Sequence, residues 1–161
     1  MEFWTDGSRV GSVNNFFIGW SAVCETGVLV AKSKVGGSNI NAEIFAIRDL
    51  LLNLKAYRRK MVEEIVNGDK IILITTDSKT SIQIIEGFQR APHEYNVNES
   101  ENYLAAQSIV GSMKLFEVEF GVNVKFNHIR GHENNLGNVF ADYVATQQSN
   151  ALMERCRKES A

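Results

Sequence analysis

The feature that most restricts the fold is an uninterrupted apolar segment near the middle of the chain, Lys70–Thr76. A strand that is apolar at consecutive positions, without alternation, is typical of a sheet centre that is buried on both faces. The stretch before it, from about Asn41 to Gly68, has apolar residues at three- and four-residue intervals, which is the period of a helix. A central strand reached through a helix predicts an α/β fold with a mixed sheet.

The segment before that helix predicts three antiparallel strands. Glu2–Ser8, Phe16–Val23 and Val28–Ala31 are rich in aromatic and β-branched residues. Turn-forming residues separate them, with Asn14-Asn15 near the first turn and Gly27 in the second. The pattern therefore predicts a three-stranded meander that leads into the helix.

The segment after the central strand predicts further helices and one more strand. The helices are expected at Ser78–Phe88, at Glu99–Phe116 and from Asn138 to about Arg157, and the strand at Val122–Phe126. The second of these helices is expected to turn four residues inward: Tyr103, Val110, Met113 and Phe116. The order predicts a five-stranded mixed sheet, with its first three strands antiparallel and helices on both faces.

Size and charge restrict the function. The chain has 161 residues, of which 44% are hydrophobic, so we expect residues 1–161 to form one domain with a real core. A protein whose affinity rests on neutralising many phosphates is usually basic, whereas the net charge here is −2. If the partner is a nucleic acid, we expect salt-sensitive binding through one local patch. We expect a monomer.

Localisation follows from what the sequence carries near its start and from its cysteines. Met1 leads almost directly into the first predicted strand, and no apolar run is long enough to span a membrane. Cys24 and Cys156 lack metal-type spacing and lie in unlike surroundings, so we expect free thiols in a reducing compartment. The expectation is a cytoplasmic protein without a membrane partner.

Four acidic residues stand out by their contexts. Asp6 and Asp77 each end a predicted apolar strand, and Glu43 and Asp142 each lie beside the apolar stripe of a predicted helix. Any one of them alone is more simply a cap or a solvated residue. Four carboxylates that converge near a core are tolerated only with protons or cations, because like charges raise each other's pKa. Oxygen clusters suit Mg²⁺ or Mn²⁺, and paired ions of this kind catalyse phosphodiester chemistry.

The short sequence segments around these acids resemble the four motifs of the ribonuclease H type 1 family. The resemblance runs in order through Trp4-Thr5-Asp6-Gly7-Ser8, Asn41-Ala42-Glu43 and Thr76-Asp77-Ser78. It continues through Arg130-Gly131-His132, Gly137-Asn138 and Ala141-Asp142-Tyr143. Each motif alone is weak, but the four together cover nearly the whole chain and agree with the predicted order of strands and helices. The resemblance implies a ribonuclease H-like fold.

The resemblance also implies roles for these residues. It places metal ligands at Asp6, Glu43, Asp77 and Asp142, which would hold two Mg²⁺ ions, with Mn²⁺ as a substitute. Asp6 would bridge the ions, Asp142 would help to hold the ion that activates water, and Glu43 and Asp77 the ion at the leaving 3′ oxygen. His132 would assist proton handling or product release; otherwise it is a surface histidine.

The substrate that the resemblance implies is an RNA–DNA hybrid duplex. The enzyme would be an endoribonuclease that cuts the RNA strand and leaves 5′-phosphate and 3′-hydroxyl ends. The RNA 2′-hydroxyl distinguishes RNA from DNA at such a site, and Glu43 would accept a hydrogen bond from it. The implied substrate contacts are Gly7, Ser8, Ser38, Asn39, Ser78 and Asn138.

Two departures from the family pattern bear on affinity. Ile40 stands where an amide is frequent, and the stretch Gly87–Glu101 lacks the basic, tryptophan-bearing protrusion of many members. Four basic residues are candidates for replacing that protrusion, although a solvated helix end is the simpler interpretation: Lys55, Arg58, Arg59 and Lys60. Two alternatives stay open, an inactive nucleic-acid-binding relative and a DNA-directed nuclease of the same fold.

Overall fold

The computed structural model describes residues 1–131 and 134–160, and this part of the chain forms five strands and five α-helices. The strands are β1 (Glu2–Ser12), β2 (Asn15–Cys24), β3 (Gly27–Val35), β4 (Ile71–Thr76) and β5 (Asn123–His128). The helices are α1 (Asn39–Tyr57), α2 (Arg59–Asn67), α3 (Lys79–Arg90), α4 (Glu101–Phe120) and α5 (Leu136–Glu159). A short 3-10 turn, Pro92–Glu94, lies between α3 and α4.

The strands form one sheet in the order β3-β2-β1-β4-β5. β1 and β2 pair antiparallel, as do β2 and β3, whereas β4 runs parallel to both β1 and β5. The predicted mixed sheet with three antiparallel strands first is therefore confirmed. β4 lies between two strands, in agreement with its continuous apolar sequence.

Alternate residues of β1 face two different layers of helices. Phe3 belongs to the main core, which includes residues of α1, α3 and α4. Trp4, the next residue, packs on the opposite face in a smaller cluster with Val23, Ala141 and Val144. Because successive side chains of a strand point to opposite faces, α5 covers the face of the sheet opposite to the main core. The prediction of helices on both faces is confirmed.

The first strand is longer than its sequence indicated. It continues to Ser12 because β2 pairs with it along its whole second half, as far as Ser12 opposite Asn15. Asp6 therefore lies in the interior of β1 and not at the end of a strand. Asp77 does follow the last residue of β4 directly, as predicted.

The helical stretch before β4 is two helices rather than one. The apolar stripe of α1 stays buried as far as Leu54, and the residues from Lys55 to Lys60 are all exposed. The helix ends at Tyr57, with Arg58 as its C-cap, and α2 then begins with a new apolar face formed by Val62 and Ile65. Because of this break, Val62 and Ile65 of α2 are buried although the last residues of α1 are exposed.

The inward face of α4 is also partly different from the prediction. Phe116 is buried, but the other three predicted residues are only half-buried. Four other residues of α4 are buried: Ala105, Ala106, Ile109 and Ser112. The inward face of α4 is therefore rotated relative to the predicted one.

The connection between α3 and α4 is compact and held by aromatic contacts. The Tyr95 ring lies 5.9 Å from the Phe88 ring and 5.1 Å from the Tyr103 ring, centroid to centroid. The Tyr95 hydroxyl occupies the space that a Cβ on Gly87 would need. The stretch in which many members of the resembled family carry a basic protrusion is therefore packed onto the domain here.

Two further expectations concern helices and thiols. Within the described ranges, no helix has the length and apolar character needed to cross a membrane. Cys24 is buried, Cys156 is half-buried, and both are free thiols.

Candidate active site

Three of the four predicted acids meet at one place on the sheet. Asp6 of β1, Glu43 of α1 and Asp77 after β4 each offer a carboxylate oxygen, and these oxygens lie within 4.8 Å of one another. Asp6 is 3% and Glu43 5% exposed, whereas Asp77 is half-buried. The cluster is therefore a mostly buried concentration of negative charge that opens to solvent beside Asp77.

Strand pairing brings Asp6 and Asp77 together. β1 and β4 run parallel with Trp4 beside Thr75, so the residues two positions further along, Asp6 and Asp77, come level with each other. Asp77 is the first residue beyond β4, at the carboxyl end of a central strand, where open α/β sheets place their sites. A Cβ added to Gly131 would lie 3.3 Å from the Asp77 Oδ2 atom, so the loop after β5 also closes on this acid.

Gly7 brings Glu43 to the cluster. A Cβ on Gly7 would lie 2.5 Å from the Glu43 backbone nitrogen and 2.6 Å from the Ala42 Cβ atom, distances that no packed side chain tolerates. The missing side chain thus allows the first turns of α1 to lie directly on β1. A capping box fixes where α1 begins, because Ser38 and Asn41 each accept a hydrogen bond from the other's backbone N–H.

Burial and mutual repulsion make these carboxyl groups hard to ionise. Burial, followed by the charge of Asp77, raises the pKa of Asp6 from 3.8 to about 8, although the Gly7 N–H donates to Asp6 Oδ1 at 2.9 Å. Burial, followed by the charges of Asp6 and Asp77, also raises the pKa of Glu43 well above its ordinary value. Within the described part of the chain, no lysine or arginine forms an ion pair with Asp6 or Glu43.

Asp142 lies at the edge of the cluster and not within it. This residue of α5 is exposed and does not share the 4.8 Å neighbourhood of the other three acids. It is nevertheless close enough to Asp6 for its charge to help to raise the pKa of Asp6. Asp6 is thus the acid that connects Glu43 and Asp77 on one side with Asp142 of α5 on the other.

The remaining predicted site residues have various surroundings. Ser38 caps α1, Ser78 caps α3 and accepts from the Ser81 N–H, and Asn39 is exposed at the first position of α1. Ser8 accepts a hydrogen bond from Ser149 of α5 at 3.1 Å. These contacts show local structural roles and leave the predicted substrate contacts as predictions.

Asn138, His132 and His128 are the last polar residues to be placed relative to the cluster. Asn138 lies in the first turn of α5, is 6% exposed, and its Oδ1 atom has no hydrogen-bond partner among the described residues. His132, the predicted proton-handling residue, lies outside the described residues. His128, the last residue of β5, is exposed and its Nε2 atom lies 3.2 Å from the Asp77 carbonyl oxygen.

The four basic candidates for substrate binding are remote from the cluster. Glu43 is in the second turn of α1, whereas Lys60 lies in the next helix, 17 residues later. From Glu43 to the last residue of α1, Tyr57, the helix rises by about 21 Å at 1.5 Å per residue. Lys55, Arg58, Arg59 and Lys60 therefore lie at the far end of α1 and the start of α2, and their part in substrate binding stays a prediction.

Two polar residues near the sheet escaped the sequence interpretation. Asp49 of α1 is 6% exposed and accepts from the Trp20 indole N–H at 2.8 Å, with Arg48 and Lys32 as ion-pair partners. Ser21 of β2 is fully buried and donates to the Ala141 carbonyl at 2.6 Å. No motif marks Asp49. Ser21 would have emerged from a correct hairpin register, because the turn at residues 13–14 places it opposite Asp6.

Similar structures agree with this fold. Ribonuclease H1 from the halophilic archaeon Halobacterium salinarum is 16% identical, with a TM-score of 0.54 over 93% of this chain and 97% of that one. LC11-RNase H1, isolated from compost by a metagenomic approach, is 22% identical, with a TM-score of 0.59 over 94% and 96%. A foamy viral protease–reverse transcriptase solved with double-stranded DNA is 21% identical, with a TM-score of 0.55 over 92% of each chain.

Sequence comparison identifies the family. No curated protein matches the chain. The family model described as RNase H matches residues 1–150, which includes all four acids and nearly every strand and helix. The sequence resemblance is thereby confirmed, and the chain belongs to the ribonuclease H family of nucleases.

Proposed function

We propose that this protein is an endoribonuclease that hydrolyses the RNA strand of RNA–DNA hybrids, with two Mg²⁺ ions as cofactors and Mn²⁺ as a substitute. The observation that supports this most is the burial of Asp6 and Glu43 beside Asp77, without a paired lysine or arginine for the first two within the described residues. Buried carboxylates at this spacing repel each other, and divalent cations are the compensation that suits them.

The donor set fits such ions. The Glu43 Oε2 atom is buried and has no hydrogen-bond partner among the described residues, which is a costly arrangement unless something binds there. All donors are carboxylate oxygens, the ligands that Mg²⁺ and Mn²⁺ prefer. Asp6, Glu43 and Asp77 would hold the ions, and Asp142 would contribute from the edge beside Asp6.

The chain's own part in the reaction is to hold ligands and substrate in place. When bound, a pair of such ions supplies Lewis-acid chemistry, which eases deprotonation of water and neutralises charge on the leaving oxygen. The Gly7 N–H orients Asp6, and the capping box of Ser38 and Asn41 fixes the turn that carries Glu43. Water attacks the phosphorus in line, the bond from phosphorus to the 3′ oxygen breaks, and the products carry a 5′-phosphate and a 3′-hydroxyl. His132 is proposed to receive or deliver the proton.

Selection of RNA requires a contact to the 2′-hydroxyl, since that group distinguishes RNA from DNA. Glu43 is proposed to accept from it, and exposed Asn39 at the start of α1 is proposed to contact the minor groove. The Ser38 backbone N–H donates to Asn41 and the Ser38 hydroxyl accepts from the Asn41 N–H in the helix cap, so a substrate contact would use the hydroxyl as a donor. Gly7, Ser8, Ser78 and Asn138 complete the proposed contacts.

The test is cleavage of an end-labelled RNA–DNA hybrid in Mg²⁺, with duplex DNA, duplex RNA and Asp77→Asn protein as controls. The expected result is cutting of the RNA strand of the hybrid alone, lost in the Asn variant. Ligation of the products, which requires a 5′-phosphate and a 3′-hydroxyl, checks the end chemistry.

Each alternative gives a different result. Cutting of duplex DNA at a rate equal to or above that of the hybrid would identify a DNA-directed nuclease. Binding of the hybrid by folded protein without any cutting in Mg²⁺ or Mn²⁺ would identify an inactive relative.

A further inference from the structure

Helix α5 lies on the sheet through small residues and hydrogen bonds. The backbone at Ala145 and Ser149 occupies the space that a Cβ on Gly19 would need, so α5 contacts β2 main chain to main chain. One turn earlier, the Ser21 hydroxyl donates to the Ala141 carbonyl at 2.6 Å, in a position without solvent access. These contacts act together with the apolar cluster of Trp4, Val23, Ala141 and Val144 to set the height and rotation of α5 over the sheet.

Ser21 connects two acids of the site. It is the direct cross-strand partner of Asp6, and both side chains face α5. The carbonyl that it binds belongs to Ala141, the residue immediately before Asp142. Ser21 therefore spans from the strand position beside the buried acid to the helical turn that carries the exposed one.

Asp142 depends on this turn for its position. It is exposed, and among the acids its charge acts on Asp6. A small rotation of α5 would move its carboxylate relative to Asp6 without disturbing Glu43 or Asp77, which other elements carry. We infer that Ser21 is a positioning residue, whose bond to the Ala141 carbonyl holds Asp142 beside Asp6, where the two carboxylates would help to hold a metal ion.

The chain offers a matched control for this inference. Ser149 is also fully buried on α5 and also bridges the helix to the sheet, through its bond to Ser8 at 3.1 Å. It follows Asp142 by seven residues, about 10 Å along the helix. If such hydroxyls only fastened α5 to the sheet, loss of either one would have the same effect.

The experiment compares Ser21→Ala and Ser149→Ala with the wild type in two measurements. Calorimetry of Mn²⁺ binding without substrate is expected to show affinity about tenfold weaker in Ser21→Ala and changed less than about twofold in Ser149→Ala. Hybrid cleavage is expected to show kcat about tenfold lower with KM unchanged in Ser21→Ala alone. Both variants are expected to fold, because alanine is smaller than serine and the Ala141 carbonyl keeps its helical donor. Thermal unfolding checks this.

The outcomes separate this inference from the proposed function on which its kinetic measurement rests. Equal Mn²⁺ affinity in Ser21→Ala and wild type would overturn the inference, as would equal losses in both variants. Wild-type protein that binds Mn²⁺ but does not cut hybrids would overturn the proposed function alone, since calorimetry still compares the variants. Wild-type protein that binds no Mn²⁺ would overturn both.

Discussion

Helix α1 buries two acidic residues, and their surroundings are opposite. Asp49 has the Trp20 indole N–H at 2.8 Å, the Arg48 guanidinium at 2.9 Å and the Lys32 ammonium at 3.5 Å. Glu43, less than two turns earlier, has Asp6 and Asp77 as its nearest charges, and both are negative. The two carboxylates are equally inaccessible, at 6% and 5% exposure. Burial therefore does not separate a structural acid from a functional one.

The difference lies in what compensates the charge. The negative charge of Asp49 is compensated by the protein itself, and its hydrogen bonds fix Trp20 in the core. The charges of Asp6 and Glu43 are not compensated by any described lysine or arginine, so their site is complete only with protons or a cation. A buried acid without a positive partner is thus the more informative sign of function.

The largest expected effect is on catalysis. Asp6→Asn removes a proposed metal ligand and is expected to lower hybrid cleavage by more than about a hundredfold. Asp49→Asn leaves the cluster intact and is expected to change the rate by less than about tenfold. Both rates are measured on the same labelled hybrid in Mg²⁺. A comparable loss in the two variants would mean that Asp49 has a catalytic role, and the comparison would fail.

The next effect is on stability, and the two substitutions are expected to have opposite signs. Asp49→Asn leaves Arg48 and Lys32 without their acid and is expected to destabilise the protein by about 1–3 kcal/mol. Asp6→Asn relieves repulsion at a buried position and is expected to stabilise the metal-free protein at pH 8 by on the order of 2 kcal/mol. Urea denaturation in the presence of a chelator measures both. Destabilisation by Asp6→Asn would show that the protein itself compensates the negative charge of Asp6.

The third effect, which is the smallest when counted per pH unit, is a pH dependence that belongs to the cluster. The folded protein holds the Asp6 proton up to about pH 8, whereas the ordinary pKa is 3.8, so folding takes up a proton between these values. The free energy of unfolding of the metal-free protein is therefore expected to fall as pH rises through this window, by on the order of 1 kcal/mol per pH unit.

Two controls accompany this measurement. Asp6→Asn is expected to reduce the slope, part of which remains because burial also raises the pKa of Glu43, and Asp49→Asn is expected to leave it unchanged. Added Mg²⁺ binds the ionised carboxylates, so it is expected to raise the unfolding temperature more at pH 8 than at pH 5. A wild-type slope of the opposite sign would contradict the raised pKa of Asp6.

Much of the fold was predictable because the patterns were local. The continuous apolar run of β4 and the stripe of α1 identified the central strand and the helix before it. The end of β1 was not predictable in this way. Asp6 and Gly7 resemble the end of a strand in sequence, and only pairing with β2 shows that the strand continues to Ser12. The break at Arg58 depends similarly on where the core lies.

The candidate site was predictable through its motifs and not through its energetics. The sequence motifs around Asp6, Glu43 and Asp77 predicted three residues that the structure brings together. Asp142 lies at the edge of this cluster. Asp49 has no motif, since three residues distant or adjacent in sequence compensate it. Nor did the sequence indicate how closely α1 approaches β1 at Gly7, which depends on tertiary packing.

The compact connection between α3 and α4 has a consequence for protein engineering. Because the Tyr95 ring packs between Phe88 and Tyr103 and covers Gly87, this segment contributes to the hydrophobic core at its periphery. A basic module grafted in its place would remove that packing. An insertion at exposed Asn98, beyond the aromatic contacts, would keep them while adding positive charge. Added positive charge and the packing that stabilises the domain can therefore be placed at different positions of this short segment.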